Sequence, residues 1–306
     1  MTSLNHWSNI FCKDSTPLTE VLNNKNIKIL VKRDELNHPI IQGNKLRKLK
    51  YNIKYAIENG FSGIATFGGA YSNHLIAVAK CAELINFESV GVIRGNELEL
   101  QPEKWSETLH QAQSYGMKFI FLNREEYRKK ANSNVVKSSI DKSCYLIPEG
   151  GSNSLALKGV AEVIGELTQQ TSEPTHIISA CGTGGTLAGL IEGVNKANWN
   201  TQVIGIPVLK GAEFLVDDIA KLTIHNRFVQ WKLYHDYHAG GYAKLNDERM
   251  IDFARNFIKN NKIDLDKIYT IKSFYAAYDM IEKGIIPASS KVVILHTGGL
   301  QGGIVT

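Results

Sequence analysis

Short apolar runs alternate with segments of helical periodicity along most of this chain, and this alternation constrains its fold more than any other feature. The runs are rich in β-branched and aliphatic residues, as at residues 27–32, 63–67 and 291–295. Between them, apolar residues recur at the spacing of an amphipathic helix. Strands that alternate with helices form parallel sheets covered by helices on both faces. The sequence therefore predicts an α/β fold.

Composition agrees with a globular protein of this class. The chain has 306 residues, of which 43% are hydrophobic and 21% charged, enough to bury the core of two domains or of one large α/β unit. Its formal net charge of +5 is small for this length, and the sequence contains no block of five or more basic residues. Nucleic-acid binding is therefore not predicted, whereas a small anionic ligand is compatible with the charge.

The cysteines and the apolar runs bear on the compartment. Cys12, Cys81, Cys144 and Cys181 lie far apart and form no C-x-x-C pair, which is typical of thiols in a reducing compartment. The first residues lack the basic and apolar regions of a secretion signal, and no apolar run is long enough to span a membrane. These features predict a cytoplasmic protein without a membrane anchor.

Lys45 is the first candidate for chemistry. The predicted strand at residues 27–32 precedes it, and Leu46, Leu49 and Ile53 continue a helical pattern that begins near Asn44. In the first turn of that helix, aligned N–H groups disfavour a positive charge, and the neighbouring basic side chains act in the same direction. The pKa of Lys45 is thereby lowered toward that of a nucleophilic amine suited to a Schiff base. A solvated lysine at a helix start is the commoner alternative.

A glycine-rich segment at residues 182–186 follows another predicted strand and opens a helix; we call it the glycine loop. Its glycines let several N–H groups point at one anion, and the helix N-terminus adds a favourable field. The G-x-G-G spacing matches neither a Walker A loop nor the G-x-G-x-x-G motif. The loop is therefore predicted to bind a phosphate, with a tight turn that binds nothing as the alternative.

Ser72, Asn73 and His74 stand between the predicted strand at residues 63–67 and the next helix. One interpretation makes Ser72 an N-cap. The other places Ser72 over a bound ligand and Asn73 within hydrogen-bond reach of a phenolic oxygen. Ligands of open parallel sheets bind beyond the carboxyl ends of strands, where these residues, the glycine loop and residues 296–299 all fall. This shared position favours a binding site.

Two further groups of residues have ordinary structural explanations. Tyr242 and Tyr269 follow apolar stretches and are either core aromatics with satisfied hydroxyls or site residues. His235 and His238 follow a predicted strand, but they would point to opposite faces and the sequence offers no third ligand nearby. No metal site is predicted.

Several of these segments resemble one enzyme family. Residues 43–49, 68–74 and 182–186, with Tyr269 and Thr270, are similar to the pyridoxal-phosphate enzymes of the D-cysteine desulfhydrase and 1-aminocyclopropane-1-carboxylate (ACC) deaminase family. The resemblance extends over nearly the whole chain in consistent order. It implies a fold like the tryptophan synthase β subunit (fold type II), an α/β structure of two open, mostly parallel twisted sheets covered by helices.

The resemblance also implies a domain organisation. A large cofactor-binding domain would comprise residues 1–47 and 153–306, and a small domain residues 48–152. Pyridoxal 5′-phosphate would lie between them, and the protein would be a homodimer that acts on a small amino acid.

The family's roles carry over to matching positions. Lys45 would hold the cofactor covalently and later move the substrate α-proton, while Asn73 would bond the cofactor's ring oxygen. The phosphate would be held by Gly182, Thr183, Gly184, Gly185 and Thr186. The substrate would be faced by Ser72, Asn73, His74, Tyr242 and Tyr269, of which Ser72 and the two tyrosines would act with Lys45 in catalysis.

Thr270 and Thr297 bear on the substrate, and both would contact the cofactor. ACC deaminases carry glutamate directly after the tyrosine that matches Tyr269 and leucine at the position of Thr297, whereas threonines are the desulfhydrase pattern. A carboxylate beside the ring nitrogen favours its protonated form and strengthens the electron sink. A threonine hydroxyl donating to an unprotonated nitrogen gives a weaker sink, adequate when sulfide leaves Cβ. The sequence thus predicts α,β-elimination, with D-cysteine converted to pyruvate, sulfide and ammonia.

Alternatives stay open within and outside this reaction. The residues around Tyr242, and Ile271 in place of the family's usual glycine, depart from the pattern and leave the amino acid and its chirality undetermined. ACC deaminase, a serine dehydratase-like enzyme and a β-replacing enzyme are the alternatives in the same fold. A phosphate- or cofactor-binding protein without turnover is the alternative outside catalysis, and the intact Lys45 argues against it.

Overall fold

The computed structural model of the protein describes residues 3–12, 14–21, 27–223, 228–242, 245 and 247–305. The helices in this part of the chain are α1 (Ser3–Phe11), α2 (Asn44–Glu58), α3 (Asn73–Ile85), α4 (Glu107–Ser114), α5 (Arg124–Arg128), α6 (Asn134–Ser139), α7 (Ser154–Gln170), α8 (Gly185–Lys196), α9 (Leu215–Leu222), α10 (Glu248–Asn261) and α11 (Thr270–Glu282). The strands are β1 (Leu18–Val21), β2 (Lys28–Lys32), β3 (Gly63–Gly69), β4 (Glu88–Arg94), β5 (Met117–Leu122), β6 (Cys144–Ile147), β7 (His176–Cys181), β8 (Gln202–Pro207), β9 (Trp231–Leu233) and β10 (Lys291–Leu295).

The chain divides into two compact units, each with its own sheet. The small unit comprises Met1–Lys13 and Lys45–Ala156, and the large unit comprises Asp14–Asn44 and Leu157–Thr306. The predicted domain boundaries at residues 47 and 152 differ from these divisions by three and four residues. Helix α1, which the sequence assigned to the large domain, groups with the small unit because the Trp7 indole donates a 2.7 Å hydrogen bond to the Lys50 carbonyl.

The small unit contains a parallel sheet in the order β5-β4-β3-β6. Strand β3 lies inside it and is buried along almost its whole length, as expected for a strand covered on both faces. Helix α3 returns from the carboxyl end of β3, so Ser72, Asn73 and His74 lie at that end. The register pairs Thr66 of β3 with Ile147 of β6, near the same edge.

The large unit contains a sheet in the order β1-β2-β10-β7-β8-β9, parallel except for the edge strand β1. Alternate residues of β10 serve the two faces: Val292 and Ile294 pack with α10 and α11, while Val293 and Leu295 pack with α7 and α8. An uninterrupted aliphatic strand is what a parallel sheet with two covered faces requires. The predicted α/β architecture with mostly parallel sheets is confirmed.

Some elements differ from those the sequence predicted. Helix α1 and strand β1 were not predicted, and the polar stretch after β5 contains the short helices α5 and α6, capped by Asn123 and Ser133 side chains. Strand β9 has three residues, fewer than predicted. No helix in the described part of the chain is long and apolar enough to cross a membrane.

Lys32 is a buried cation in the large unit. Its Nζ lies 2.6 Å from Glu166 Oε2, 2.6 Å from the Thr16 carbonyl and 2.9 Å from Gln170 Oε1, and its side chain has no exposed surface. These contacts tie β2 to α7 and to the chain before β1. A buried ammonium with this many acceptors is stabilising only while all of them are present.

We expect Lys32→Met to lower the free energy of unfolding by about 3 kcal/mol, because it removes the cation paired with the Glu166 carboxylate and one of the two donors to the Thr16 carbonyl. Lys28→Met is the matched control on the same strand: Lys28 pairs with Glu20 at 3.5 Å, and both side chains are at least half exposed. That loss should be below about 1 kcal/mol. Urea unfolding of both variants measures the difference, and equal losses would contradict the role assigned to Lys32.

Candidate active site

Lys45 lies in the first turn of α2, as the sequence predicted for this helix. It is half-buried, whereas the next three residues, Leu46, Arg47 and Lys48, are buried. The first turn carries no acidic residue. Lys48 donates to the Gly150 carbonyl at 3.0 Å and to Ser152 Oγ at 3.2 Å, which fixes the loop after β6 against α2. The Lys45 amine therefore belongs to a helical turn that the hydrogen bonds of Lys48 hold in place.

Ser72 occupies the N-cap position of α3 with an extended backbone, φ −81° and ψ 109°. Its hydroxyl nevertheless makes no capping hydrogen bond within the described residues. The next residue, Asn73, has a buried Oδ1 without a hydrogen-bond partner in the described part of the chain. Buried polar atoms are nearly always satisfied in folded proteins, so an unsatisfied one at a strand end indicates a missing ligand.

His74 is buried beside these residues, with 1% of its surface exposed. Its Nε2 lies 3.0 Å from Thr66 Oγ1. Burial lowers the pKa of His74 well below the usual 6.5, and the positive charges of Lys45 and Lys48 lower this pKa further. The ring is therefore neutral at physiological pH. The small unit thus groups Lys45, Ser72, Asn73 and His74 on two adjoining elements.

The glycine loop of the large unit joins β7 to α8. Gly184 is the N-cap of α8 in a left-handed conformation, φ 73°, and has no side chain with which to cap this end. A Cβ on Gly184 would lie 2.7 Å from Ile219 Cγ1, so the turn requires glycine. Asn44 Nδ2 donates to Thr186 Oγ1 at 2.8 Å, which leaves the hydroxyl proton of Thr186 available to a ligand. This geometry suits an anion.

Tyr242 and Tyr269 face the glycine loop from two other segments of the large unit. Their hydroxyl oxygens are 3.3 Å apart, and their rings meet edge to face at 5.9 Å. A Cβ on Gly182 would lie 3.3 Å from Tyr242 Oη and 3.7 Å from Tyr269 Oη. Tyr242 is 41% exposed and Tyr269 is half-buried, so neither is a core aromatic. The structure brings Gly182 and both predicted tyrosines together.

Thr270 is fully buried at the start of α11, and its hydroxyl bonds to Asp266. Thr270 Oγ1 donates to Asp266 Oδ1 at 2.7 Å and accepts from the Asp266 backbone N–H at 2.7 Å. A hydroxyl has one proton, so while this bond exists Thr270 offers a ligand only a lone pair. The predicted role of Thr270 as a donor to a ring nitrogen did not take this bond to Asp266 into account.

Asp266 is a site residue that sequence reasoning missed. Its Oδ2 accepts from the backbone N–H groups of Ile268 and Tyr269, each at 2.9 Å, and Oδ1 accepts from Thr270. The carboxylate therefore fixes the start of α11 and with it both Tyr269 and Thr270. Its position four residues before Thr270 was the available signal. Thr297, at the end of β10, is 6% exposed and accepts the Asn44 N–H through its carbonyl at 3.2 Å.

Lys272 is a second residue that the sequence did not assign to the site. It is 1% exposed, and its Nζ donates to the Gly241 carbonyl at 2.8 Å and to the Val208 carbonyl at 3.1 Å. The segment that carries Tyr242 is thereby tied to α11. Burial lowers the pKa of Lys272 to about 8, against an opposing effect of Asp266.

This pKa predicts a pH dependence of stability. Between pH 8 and the ordinary lysine pKa of 10.5, the unfolded chain binds a proton at Lys272 that the folded chain does not. The free energy of unfolding therefore rises with pH across this window. We expect the wild-type protein to gain about 2 kcal/mol relative to Lys272→Met between pH 8 and pH 10. Urea unfolding of both proteins at several pH values measures it, and a constant difference would contradict it.

The histidines near Tyr242 lie in and directly after a short turn. His235 and Tyr237 belong to a 3-10 turn, and the Tyr237 hydroxyl donates to Asp279 Oδ2 at 2.7 Å. His238 Nδ1 accepts the Gly240 N–H at 2.9 Å. The described residues contain no group of three or more histidine, cysteine, aspartate or glutamate side chains placed to hold a metal ion.

Comparison with known proteins decides the family. Residues 13–298 match the family described as pyridoxal-phosphate dependent enzyme. This chain is a pyridoxal-phosphate dependent enzyme. A putative ACC deaminase of Pyrococcus furiosus is 33% identical to it over 289 residues, which cover 90% of this chain and 85% of that protein. The family resemblance is confirmed.

Two more relatives define where this pyridoxal-phosphate enzyme belongs. The mitochondrial bifunctional D-cysteine desulfhydrase/ACC deaminase of Arabidopsis thaliana is 28% identical over 89% of this chain and 72% of that protein. The crystal structure of an ACC deaminase homologue superposes with a TM-score of 0.80 at 26% identity, covering 98% of this chain and 96% of that one. The protein therefore has fold type II and belongs with the ACC deaminase and D-cysteine desulfhydrase group of lyases.

The residues of this pyridoxal-phosphate enzyme fit its cofactor. In the small unit, the Asn73 side chain has an N–H group that can donate to a ring oxygen and a buried Oδ1 that accepts no hydrogen bond among the described residues, and Lys45 lies on α2. In the large unit, the glycine N-cap of α8 and the Thr186 hydroxyl match a phosphate. The individual roles predicted for these side chains stay predictions, and they enter the proposal that follows.

Proposed function

We propose that this enzyme catalyses α,β-elimination on a small β-substituted amino acid, and that D-cysteine, converted to pyruvate, sulfide and ammonia, is its best substrate. The observation that carries the proposal is the absence of an available carboxylate at the start of α11 among the described residues. Position 270 is a threonine, and both oxygens of the nearby Asp266 already accept hydrogen bonds.

That observation bears on the strength of the electron sink. The family resemblance implies that the cofactor's ring nitrogen is held near Thr270. A side chain that offers only a hydroxyl oxygen stabilises a protonated nitrogen less than a carboxylate does. Elimination of sulfide needs less electron withdrawal than opening a cyclopropane that has no α-hydrogen. Thr270 therefore favours elimination.

The proposal assigns a task to each group of side chains. Lys45 Nζ holds the cofactor aldehyde and takes the substrate α-proton. The glycine loop holds the phosphate through its N–H groups and Thr186, and Asn73 bonds the ring oxygen. Ser72, His74, Tyr242 and Tyr269 face the substrate. When bound, pyridoxal phosphate supplies the electron withdrawal that makes the α-proton removable.

The tyrosine pair is suited to the leaving group. Two hydroxyls that share a hydrogen bond at 3.3 Å place phenolic protons next to each other beside the glycine loop. Sulfide leaves more readily when it is protonated as it departs. We assign this protonation to the Tyr242 and Tyr269 pair, whose positions are fixed by Lys272 and Asp266.

ACC deaminase activity is the second candidate. The names of the Pyrococcus furiosus and Arabidopsis thaliana relatives favour it. The Thr270 hydroxyl also favours it in one respect, because a hydroxyl that donates to Asp266 can accept from a protonated ring nitrogen. Serine dehydratase-like turnover and β-replacement use the same elimination step and differ only in the leaving group and the final acceptor.

A substrate panel tests the proposal. Purified enzyme loaded with pyridoxal phosphate is incubated separately with D-cysteine, L-cysteine, D-serine and ACC, and keto acid, sulfide and ammonia are measured. We expect equal amounts of pyruvate and sulfide from D-cysteine, with the largest kcat/KM of the panel. A larger kcat/KM for ACC, with 2-oxobutyrate released, would replace the first candidate with the second. No turnover of any of the four would contradict both.

The proposal includes a homodimer, which the family resemblance implies. Sedimentation equilibrium of the loaded enzyme measures its oligomeric state.

The proposal also assigns cofactor binding to the glycine loop of the large unit. Thr186→Val tests this assignment, because it removes one hydroxyl from the proposed phosphate site while keeping the shape of the side chain. The variant should bind the cofactor about tenfold more weakly.

A further inference from the structure

His74 carries its proton on a defined nitrogen. Thr66 Oγ1 donates its single proton to the Ile147 carbonyl at 3.0 Å, which the pairing of β3 with β6 holds in place. The same oxygen lies 3.0 Å from His74 Nε2, so in that contact it can only accept. Nε2 is therefore the protonated nitrogen of the neutral ring. It follows that Nδ1 is bare and carries a lone pair.

That lone pair is buried and unused. His74 Nδ1 has no hydrogen-bond partner among the described residues, although the side chain is only 1% exposed. A buried acceptor without a donor is destabilising, so it indicates a partner that these contacts do not supply. The neutral His74 ring has only one N–H group, which is on Nε2. Nδ1 can therefore be satisfied only by a hydrogen-bond donor.

Two lysines of α2 lie near the ring. A Cβ built on Gly151 would lie 3.1 Å from His74 Cε1 and 3.5 Å from Lys48 Cβ, so Gly151 separates the ring from Lys48 by little more than one atom. The Lys48 ammonium is committed to Gly150 and Ser152. Lys45 lies three residues earlier, on the same face of α2. Lys45 and Lys48 are the two charged groups that act on His74.

We propose that His74 is a positioning residue for Lys45: its bare Nδ1 accepts a hydrogen bond from the Lys45 amine and fixes the direction of that amine. Thr66 sets the tautomer, and the loop held by Lys48 keeps the ring in place. The inference rests on the proposed function only in treating Lys45 as the reactive amine. The position of the ring proton is independent of any reaction.

The first experiment is spectroscopic and uses the cofactor-free protein. Two-dimensional NMR with ¹⁵N-labelled histidine should show His74 as the neutral ring with the proton on Nε2 at pH 7. Lys45→Met should shift the Nδ1 resonance and raise the pKa of His74, because it removes both the donor and one of the two charges. A proton on Nδ1, or an Nδ1 resonance that Lys45→Met leaves unchanged, would overturn the proposal.

A pair of variants separates positioning from a purely structural role. Asparagine at position 74 puts an acceptor oxygen near the place of Nδ1, whereas glutamine puts a donor near the place of Nε2, where it can reach Thr66. The rate at which cofactor-free protein forms a borohydride-reducible link to pyridoxal phosphate is measured against pH. We expect His74→Asn to keep the wild-type pH profile and His74→Gln to react about tenfold more slowly.

The possible results separate the two hypotheses. If His74→Gln forms the reducible link at the wild-type rate and His74→Asn forms it slowly, the bond to Thr66 is what matters, and the proposal is overturned. Wild-type rates in both variants would overturn it as well. If both variants are slow or unfolded, the NMR result on the wild-type protein decides. Absence of any reducible link in the wild-type protein would refute the proposed function, while the NMR experiment would still test His74.

Discussion

Lys45→Ala is expected to abolish covalent attachment of pyridoxal phosphate and to lower turnover by about 10³-fold or more, because we propose that one amine both holds the cofactor and moves the α-proton. Lys45 is half-buried in the first turn of α2, a turn that carries no acidic residue. The loaded wild-type protein should absorb at about 410–430 nm, and this band should be missing from the variant. The cofactor should still bind without the covalent link, through the glycine loop.

Two variants of α2 serve as controls for this result. Lys45→Arg keeps the positive charge but cannot form the link, so it should behave like alanine. Lys54→Ala removes a lysine of the same helix that pairs with Glu58 at 3.7 Å on the surface, and it should change turnover little. Borohydride reduction followed by peptide mapping identifies the attachment residue. A reduced adduct on any other lysine, or an intact absorbance band in Lys45→Ala, would contradict the assignment.

Sequence patterns predicted the central parallel strands because a strand that is buried on both faces consists almost entirely of apolar residues. Strand β10 is a run of aliphatic residues that no amphipathic surface strand would carry, and β3 reads in the same way. The edge strand β1 has only one buried residue in four, so nothing in its composition separates it from a loop. Helix α1 was missed for a related reason, since its position depends on a contact of Trp7 with a distant segment of chain.

Site residues followed the same division between local and distant causes. Local pattern predicts Ser72, Asn73 and the glycine loop as site residues because they follow strands, at the end of a parallel sheet where ligands bind, and it predicts Lys45 from its place at a helix start. It does not predict Asp266 and Lys272, because their contacts depend on which backbone groups the fold brings to them. The tautomer of His74 depends on a threonine of β3 and a carbonyl of β6, which no spacing in the sequence relates. Local pattern therefore proposes candidate residues, whose roles stay predictions, and tertiary contacts determine which hydrogen bonds their side chains make.

The segment before Lys45 is held by contacts within the large unit. Gly43 has a left-handed conformation, φ 64°, and both of its peptide groups bond to the Asn37 side chain at 2.9 Å. Its Cα faces Thr297, two residues after β10: a Cβ there would lie 2.0 Å from the Thr297 carbonyl oxygen and 2.3 Å from the Thr297 carbonyl carbon. The Thr297 carbonyl also accepts the Asn44 N–H, so these backbone atoms have little freedom to move away.

Gly43→Ala should therefore lower the free energy of unfolding by about 5 kcal/mol or more, because backbone strain and an unrelieved clash add at one position. The change should also break the hydrogen bond between the Asn44 N–H and the Thr297 carbonyl, now 3.2 Å long, and weaken the hold of Asn44 on Thr186. Cofactor affinity should fall with stability. Urea unfolding and cofactor titration of the purified variant measure the two effects.

Gly60→Ala isolates the contribution of the backbone conformation. Gly60 has φ 74°, close to that of Gly43, but a Cβ at this position would meet nothing within 4 Å. Gly60→Ala should lower the free energy of unfolding by about 1 kcal/mol, the typical effect of placing alanine in a left-handed conformation. The difference between the two variants is then the effect of the close approach to Thr297. Equal losses would mean that the end of β10 can withdraw from Gly43, and that the turn before Lys45 is not fixed by this contact.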